Sequence, residues 1–316
     1  MKIGIVGDLH IAPPPEKRID DYFQVGLNKI EEIAQNVDCV IFLGDIFTNA
    51  KVEPKYVNML THHLWYCKGK YGTRFYTIIG NHDVVHEDET NLMDSSLGSL
   101  QASTVMGIIT PDKPLILSDN VIYRFNTIPV KYKTAQEYLH NRVYKNYTDD
   151  GFPCIDILLV HHEYETGTNC FTYNDFKNLG CKMIFLGHDH KPFDEGRIIY
   201  PEFTVYRSGS IMRNRADEYN FERTLYYYTL ENGVVGCQAI NTTPAQNIFK
   251  VESINKIELQ EKKYTETLDA IIQRYENNIS TQNQFSIKTI LEDLQAKPEI
   301  IQYIEKQYNK INEVFV

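Results

Sequence analysis

Short apolar runs of strand length alternate with helical patterns over the first two-thirds of the chain. Residues 3–7, 39–43, 75–79, 155–160 and 182–186 are rich in Ile, Val and aromatics. They are nearly continuous rather than alternating, which predicts strands covered on both faces. Residues 20–36 place Phe23, Leu27, Ile30 and Ile33 on one helical face, and residues 54–68 open with a proline suited to a first helical position. Residues 91–103 and 134–146 also read as helices. Between 115 and 130, and again between 198 and 240, the pattern is strand and turn. Asn232-Gly233 marks a hairpin joining 225–230 to 234–239. This order of elements predicts an α/β sandwich with a partly antiparallel second half.

After about residue 248 the character changes to charged, glycine-poor sequence with three helical stretches. Tyr264, Leu268, Ile271, Ile272, Tyr275 and Ile279 form one stripe at helical spacing. Ser286 is placed to cap a helix carrying Ile287, Ile290, Leu291 and Leu294, and Pro298 opens another with Ile301, Ile304, Tyr308 and Ile311. The stripes fit either a small appendage packed on its own body or an apolar face for a partner protein. The division expected is a body over 1–240, a short strand or linker region over 241–253 and a helical tail over 254–316.

No stretch approaches the roughly 18 apolar residues of a membrane span, and the apolar run after Met1-Lys2 is stopped by Asp8 before it resembles a secretory signal. A cytoplasmic protein without membrane attachment is expected. Thirty-two Lys+Arg against 42 Asp+Glu give a net charge of −10, the wrong sign for coating nucleic acid by bulk charge. Any nucleic-acid contact must be local or carried by bound cations. Cys39, Cys67, Cys154, Cys170, Cys181 and Cys237 are far apart, with no C-x-x-C pair, as in a reduced intracellular chain.

The unusual polar residues stand where the apolar runs end: Gly7-Asp8-Leu9-His10, Gly44-Asp45, Gly80-Asn81-His82-Asp83, His161-His162 and Gly187-His188-Asp189-His190. Buried strands that end together deliver their last residues to one crevice. Asp, Asn and His offer oxygen and nitrogen donors suited to manganese, iron, zinc or magnesium. With 17 Gly and 10 His in the chain, chance predicts only about 0.02 occurrences of Gly-His-x-His. Five such endings in order are far harder to obtain by accident than any one of them.

The series D-x-H, G-D, G-N-H-D, H and G-H-x-H resembles the calcineurin-like metallophosphoesterases, over roughly residues 1–240. A further segment, Ser208-Gly209-Ser210-Ile211-Met212-Arg213 followed by Asp217-Glu218, looks like that of the SbcD-type nucleases of double-strand-break repair and their phage relatives. Arg207 stands where that family commonly has Pro. The resemblance implies a double-sheet α/β sandwich flanked by helices, with a small C-terminal helical appendage. It also implies that Asp8, His10, Asp45 and His190 hold one divalent ion, and that Asp45 bridges to a second held by Asn81, His161 and His188. His161 is preferred to His162 because it directly follows the fourth apolar run. Manganese is the ion expected, with magnesium, iron or zinc as alternatives.

Two divalent ions about 3.5–4 Å apart would lower the pKa of a water between them and clamp phosphate oxygens for in-line attack. The leaving sugar oxygen then needs a proton. His82 is the expected general acid, a role worth about 10²–10⁴-fold, with a further metal ligand as the alternative reading and Asp83 accepting its other ring N–H to orient it. Lys131, Lys133 and Arg142, interleaved with Tyr132, Tyr138 and Tyr144, fit either a path for DNA or a solvated helix face. Arg213 either approaches the phosphate backbone or pairs with Asp217 and Glu218. The chain has no G-x-x-x-x-G-K-[ST]. The resemblance therefore implies a metal-dependent DNA exonuclease and endonuclease that works with a coiled-coil SMC-like ATPase of the SbcC type, as a homodimer within a heterotetramer. A phosphoprotein or nucleotide phosphoesterase, and a scaffold without activity, are the rivals on the same fold.

Overall fold

The computed structural model describes residues 1–13, 18–140, 142–148, 151–165, 169–213, 226–240, 247–259 and 262. The chain divides into two units, Met1–Phe249 and Lys250–Val316. In the second unit residues 251–259 are helical. The apolar stripes expected from Tyr264 onward, and Asp217-Glu218, lie outside the described residues.

The first unit is built on two six-stranded sheets. One carries β1 (Ile3–Val6), β2 (Cys39–Phe42), β3 (Arg74–Thr77) and β4 (Met106–Ile108), with β11 (Tyr226–Glu231) and β12 (Val234–Ala239) antiparallel beside β1. The other carries β5 (Leu115–Ser118), β6 (Ile122–Thr127), β7 (Ile155–His161), β8 (Met183–Gly187), β10 (Thr204–Tyr206) and β9 (Arg197–Ile199), in that spatial order. β1 to β4 run parallel, as do β6, β7, β8 and β10. The expected α/β double-sheet sandwich is the observed one.

Three apolar layers explain the continuous strand runs. Ile3, Ile5, Ile41, Leu43, Phe125, Ile157, Leu159 and Phe185 fill the space between the sheets. The opposite face of the first sheet, with Val6, Val40 and Phe42, packs against α1 (Tyr22–Ala34), α2 (Pro54–Tyr71) and α3 (Ser96–Ala102). The opposite face of the second, with Leu158, Val160, Ile184 and Leu186, packs against α4 (Tyr132–His140) and α5 (Tyr173–Phe176). Every residue of a central strand therefore leaves water, whichever way it points.

Local chemistry sets the ends. The Asp21 side chain accepts the Gln24 N–H at the start of α1, Pro54 begins α2, and Gly72 closes it at φ 77°. Asn232 (φ 49°) and Gly233 (φ 79°) form the hairpin turn between β11 and β12. Two helices differ from expectation. Residues 91–103 break at Ser95, whose extended backbone and hydroxyl cap α3 after a 3-10 stretch, Glu89–Asp94. α4 begins at Tyr132 and ends at His140. Beyond it, Tyr144 N–H bonds to the Leu179 carbonyl and Asn146 N–H to Asp156, so tertiary bonds displace the helical ones.

Candidate metal centre

Parallel strands of both sheets end at one place. Asp8 and His10 follow β1, Asp45 follows β2, Asn81 follows β3, His161 closes β7, and His188 and His190 follow β8. Three of these residues turn through left-handed backbone: His10 (φ 52°), Asp45 (φ 48°) and His188 (φ 76°). Such strain in non-glycine residues persists only where the surroundings over-determine it, and it gathers at functional sites. Gly80 is required by close approach, because a Cβ there would lie 2.1 Å from Asp45 Oδ1.

The donors converge. His10 Nε2 and His190 Nε2 are 2.8 Å apart, and Asp8 Oδ2 lies 3.8 Å from the first and 3.9 Å from the second. Asp45 Oδ2 is 3.2 Å from His161 Nε2 and 3.7 Å from His10 Nε2. Asn81 Oδ1 meets His161 Nε2 and His188 Nδ1, each at 3.0 Å. Ligand atoms bound at about 2.1 Å around one ion stand about 3 Å from each other, so this spacing and this mixture of carboxylate, amide and imidazole donors fit divalent metal. Two triplets, Asp8–His10–His190 and Asp8–Asp45–His161, each have their donor atoms within 4.8 Å. Asp8 is common to both triplets, and Asp45 Oδ2 lies within 3.7 Å of a histidine of each, His10 and His161.

Backbone groups fix this arrangement. His188 N–H donates to the Asp8 carboxylate at 3.1 Å, and His82 N–H to Asp45 Oδ1 at 2.9 Å. His161 Nδ1 is held by the Leu43 carbonyl at 2.7 Å, which turns Nε2 toward Asn81 and Asp45. His162 points elsewhere. Its Nε2 bonds the Pro129 carbonyl, its ring packs on Tyr132 and Phe171, and burial drives its pKa down to about 4.

Charge is concentrated here. Burial works against ionisation of Asp8 and Asp45, but the neighbouring imidazoles, His161 first, hold both below the ordinary carboxylate range. Burial would lower His161, yet Asp45 and Asp8 raise it to about 10. Protonated His161 thus occupies, in the metal-free protein, part of the positive charge that the carboxylates demand.

His82 lies beside the cluster, its ring centroid 5.4 Å from that of His10, and burial lowers its pKa. Asp83 does not orient it. Its two oxygens accept the backbone N–H groups of Ile46 (3.1 Å), Phe47 (3.4 Å) and Gly80 (3.0 Å), and the residue is fully buried. Burial, reinforced by Asp45, pushes its carboxyl up to about 8. Asp83 therefore ties the loop after β2 to the loop after β3.

The basic residues are dispersed. Lys131 lines a cavity of about 830 Å³ with His86, Glu87 and Glu89. Lys133 is exposed on α4, and the Arg142 guanidinium sits 4.3 Å above the Tyr138 ring. Arg213 is buried rather than open to solvent, and its carbonyl accepts from Arg18. Sequence reasoning missed the backbone acceptor at Leu43, which leaves no mark in the sequence. It also missed Ser210, whose hydroxyl donates to the carbonyl of Asp8 at 3.0 Å, although Ser210 lies within the segment that resembles the SbcD type.

Residues 1–192 match the family model of the calcineurin-like phosphoesterases, and the chain belongs to that family, whose members are metal-dependent phosphoesterases. No curated protein matches. Among solved structures, a dimetal phosphatase from Danio rerio is 12% identical, with a TM-score of 0.47, covering 77% of this chain and 97% of its own. A hypothetical protein from Thermus thermophilus is 11% identical, with a TM-score of 0.41, covering 77% of this chain and all of its own. A hypothetical protein from Pyrococcus horikoshii is 10% identical, with a TM-score of 0.38, covering 82% and 93%.

Proposed function

We propose that the chain is a two-metal DNA nuclease, the nuclease subunit of an SbcCD-like recombination and repair complex. The reading is carried by one observation: seven donor residues from two sheets meet with a histidine ring beside them that none of their bonds consumes. The segment Ser208–Arg213 adds the nuclease character, because it resembles the SbcD type and lies against Asp8 through Ser210 and Ile211.

Asp8, His10 and His190 would hold one ion, Asn81, His161 and His188 the other, with Asp45 between them. Bound there, the pair supplies positive charge to the phosphodiester and a nucleophile at neutral pH. The protein's own groups do the rest. Asp8 and Asp45 are pinned by the N–H groups of His188 and His82, so they need no rearrangement when substrate arrives. The His82 ring, beside the donor cluster and outside its bonds, would pass a proton to the departing sugar oxygen. Burial lowers its pKa, so the anionic phosphate would have to supply the negative charge that keeps the ring protonated.

The partner in this reading is a coiled-coil SMC-like ATPase docked on the tail, with manganese as the working ion. End-labelled duplex and single-stranded DNA, digested in manganese with and without the ATPase, test it beside phosphopeptides and cyclic nucleotides. DNA cleavage that outpaces the other substrates supports the proposal. Preference for phosphopeptide or cyclic nucleotide replaces it with a phosphatase or phosphodiesterase. Deleting residues 285–316 should abolish co-purification with the ATPase and spare metal binding; association that survives the deletion removes the docking role.

A further inference from the structure

The Gly187-His188-Asp189-His190 turn supplies a donor to each half of the metal centre, and its middle residue points away from both. Asp189 Oδ2 accepts from Arg207 Nη1 at 2.7 Å. The Arg207 guanidinium lies 4.0 Å from the centroid of the Phe193 ring, in cation–π range. Backbone bonds close the same unit: Phe193 N–H to the Arg207 carbonyl, Arg207 N–H to the Gly196 carbonyl, and Ser210 N–H to the His190 carbonyl. Gly209, at φ 73°, permits the approach, since a Cβ there would be 2.3 Å from the His190 oxygen.

This is an expensive way to hold a turn. Arg207 is only 7% exposed, and its Nε has no hydrogen-bond partner, whereas the Asp189 side chain keeps 29% of its surface. A desolvated cation with one donor unused contributes less stability than a well-packed apolar side chain would. Its benefit has to be geometric, and the strained φ of 76° at His188 is what there is to hold.

We infer that Arg207 is a positioning residue for both metal sites: through Asp189 and Phe193 it clamps the turn so that His188 faces Asn81 while His190 faces His10 and Asp8. The inference rests on the metal-centre reading and goes beyond it, because the sequence motifs at the centre do not include Arg207. Removing a hydrogen-bond partner of a metal ligand itself weakens binding by about 10–100-fold. Arg207 acts one bond further out, through Asp189, so the lower end of that range is expected here. Arg207→Met keeps much of the volume and the contact with Phe193 but cannot bond Asp189. Arg207→Lys keeps the charge.

Manganese binding to the metal-free full-length chain, measured by calorimetry with bound metal assayed directly, tests this. Thermal unfolding of the same metal-free samples is followed in parallel. Arg207→Met is expected to weaken manganese binding by about tenfold with little change in the unfolding midpoint, and Arg207→Lys to fall between it and the parent. Parent-like affinity in Arg207→Met overturns the inference and leaves the metal centre standing, whereas a parent chain that binds no manganese overturns the centre itself. Should Arg207→Met fail to fold, Asp189→Ala, which removes the acceptor altogether, decides: parent-like affinity there overturns the clamp, and a loss of the same order supports it.

Discussion

The backbone N–H of His82 donates to Asp45 Oδ1 over 2.9 Å, joining residues 37 positions apart. The carboxylate that would bridge two ions in the proposed centre therefore also fixes the start of the segment that carries His82. Asparagine at position 45 keeps an acceptor oxygen and loses the charge, while alanine loses both. Asp45→Asn should lower metal affinity by on the order of 100-fold with its unfolding midpoint retained. Asp45→Ala should bind less metal still. Metal content after dialysis, read beside thermal unfolding, separates the two.

His82 has a different signature. Its ring shares no oxygen with the donor cluster, so His82→Ala should keep full metal content while phosphodiester hydrolysis falls by about 10²–10⁴-fold. The loss should shrink with a nitrophenyl ester, whose leaving group departs without a proton. An equal loss on both substrates would show that His82 acts on binding or attack rather than on departure.

The strand ends are legible in the sequence because two physical signals coincide there: apolar runs covered on both faces, then abrupt Asp, Asn and His. The choice of His161 over His162 follows the length of the run, and the structure shows the two rings pointing to opposite sides of β7, one to Asp45 and the other to Pro129. Asp83 departs from expectation because a neighbour in sequence need not be a side-chain contact. Its oxygens serve backbone N–H groups from two loops, which residue type cannot reveal. α4 is shorter than its pattern for a similar reason: the bonds that end it come from Leu179 and Asp156, both remote in sequence. The left-handed positions His10, Asp45 and His188 are not themselves glycine, so residue type does not announce their backbone.

Metal binding should release protons. In the metal-free protein Asp45 and Asp8 outweigh burial and hold His161 at about 10, so at pH 7 an arriving ion must displace a proton from that ring. Below the shifted pKa, affinity should climb with pH by about tenfold per unit for this one proton. The metal-free fold should show the converse. The contribution of His161 is complete below its unfolded pKa of about 6.5 and is lost as pH rises through about 10. Calorimetry in two buffers of different ionisation enthalpy counts the protons released, and His161→Asn should remove one of them.

Asp156 offers a contrasting case, a buried carboxylate whose bonds go to β6 and to the chain beyond α4. It stands at the start of β7, the end remote from His161, and is fully buried. It accepts from Arg124 Nε at 2.6 Å and Nη2 at 2.7 Å, from Asn126 Nδ2 at 2.9 Å, and from the Asn146 N–H at 2.9 Å. These bonds tie β6, β7 and the chain beyond α4 into one unit. Asp156→Ala takes this counter-charge from the largely buried Arg124 guanidinium, a change that costs about 3–5 kcal/mol in comparable buried pairs. Asp156→Asn keeps the shape and part of the bonding, so it should lose less. Urea unfolding should show a lower midpoint in both, with manganese affinity unchanged as long as the protein is folded. A drop in metal affinity in the folded variants would mean that strain at the start of β7 reaches His161 along the strand.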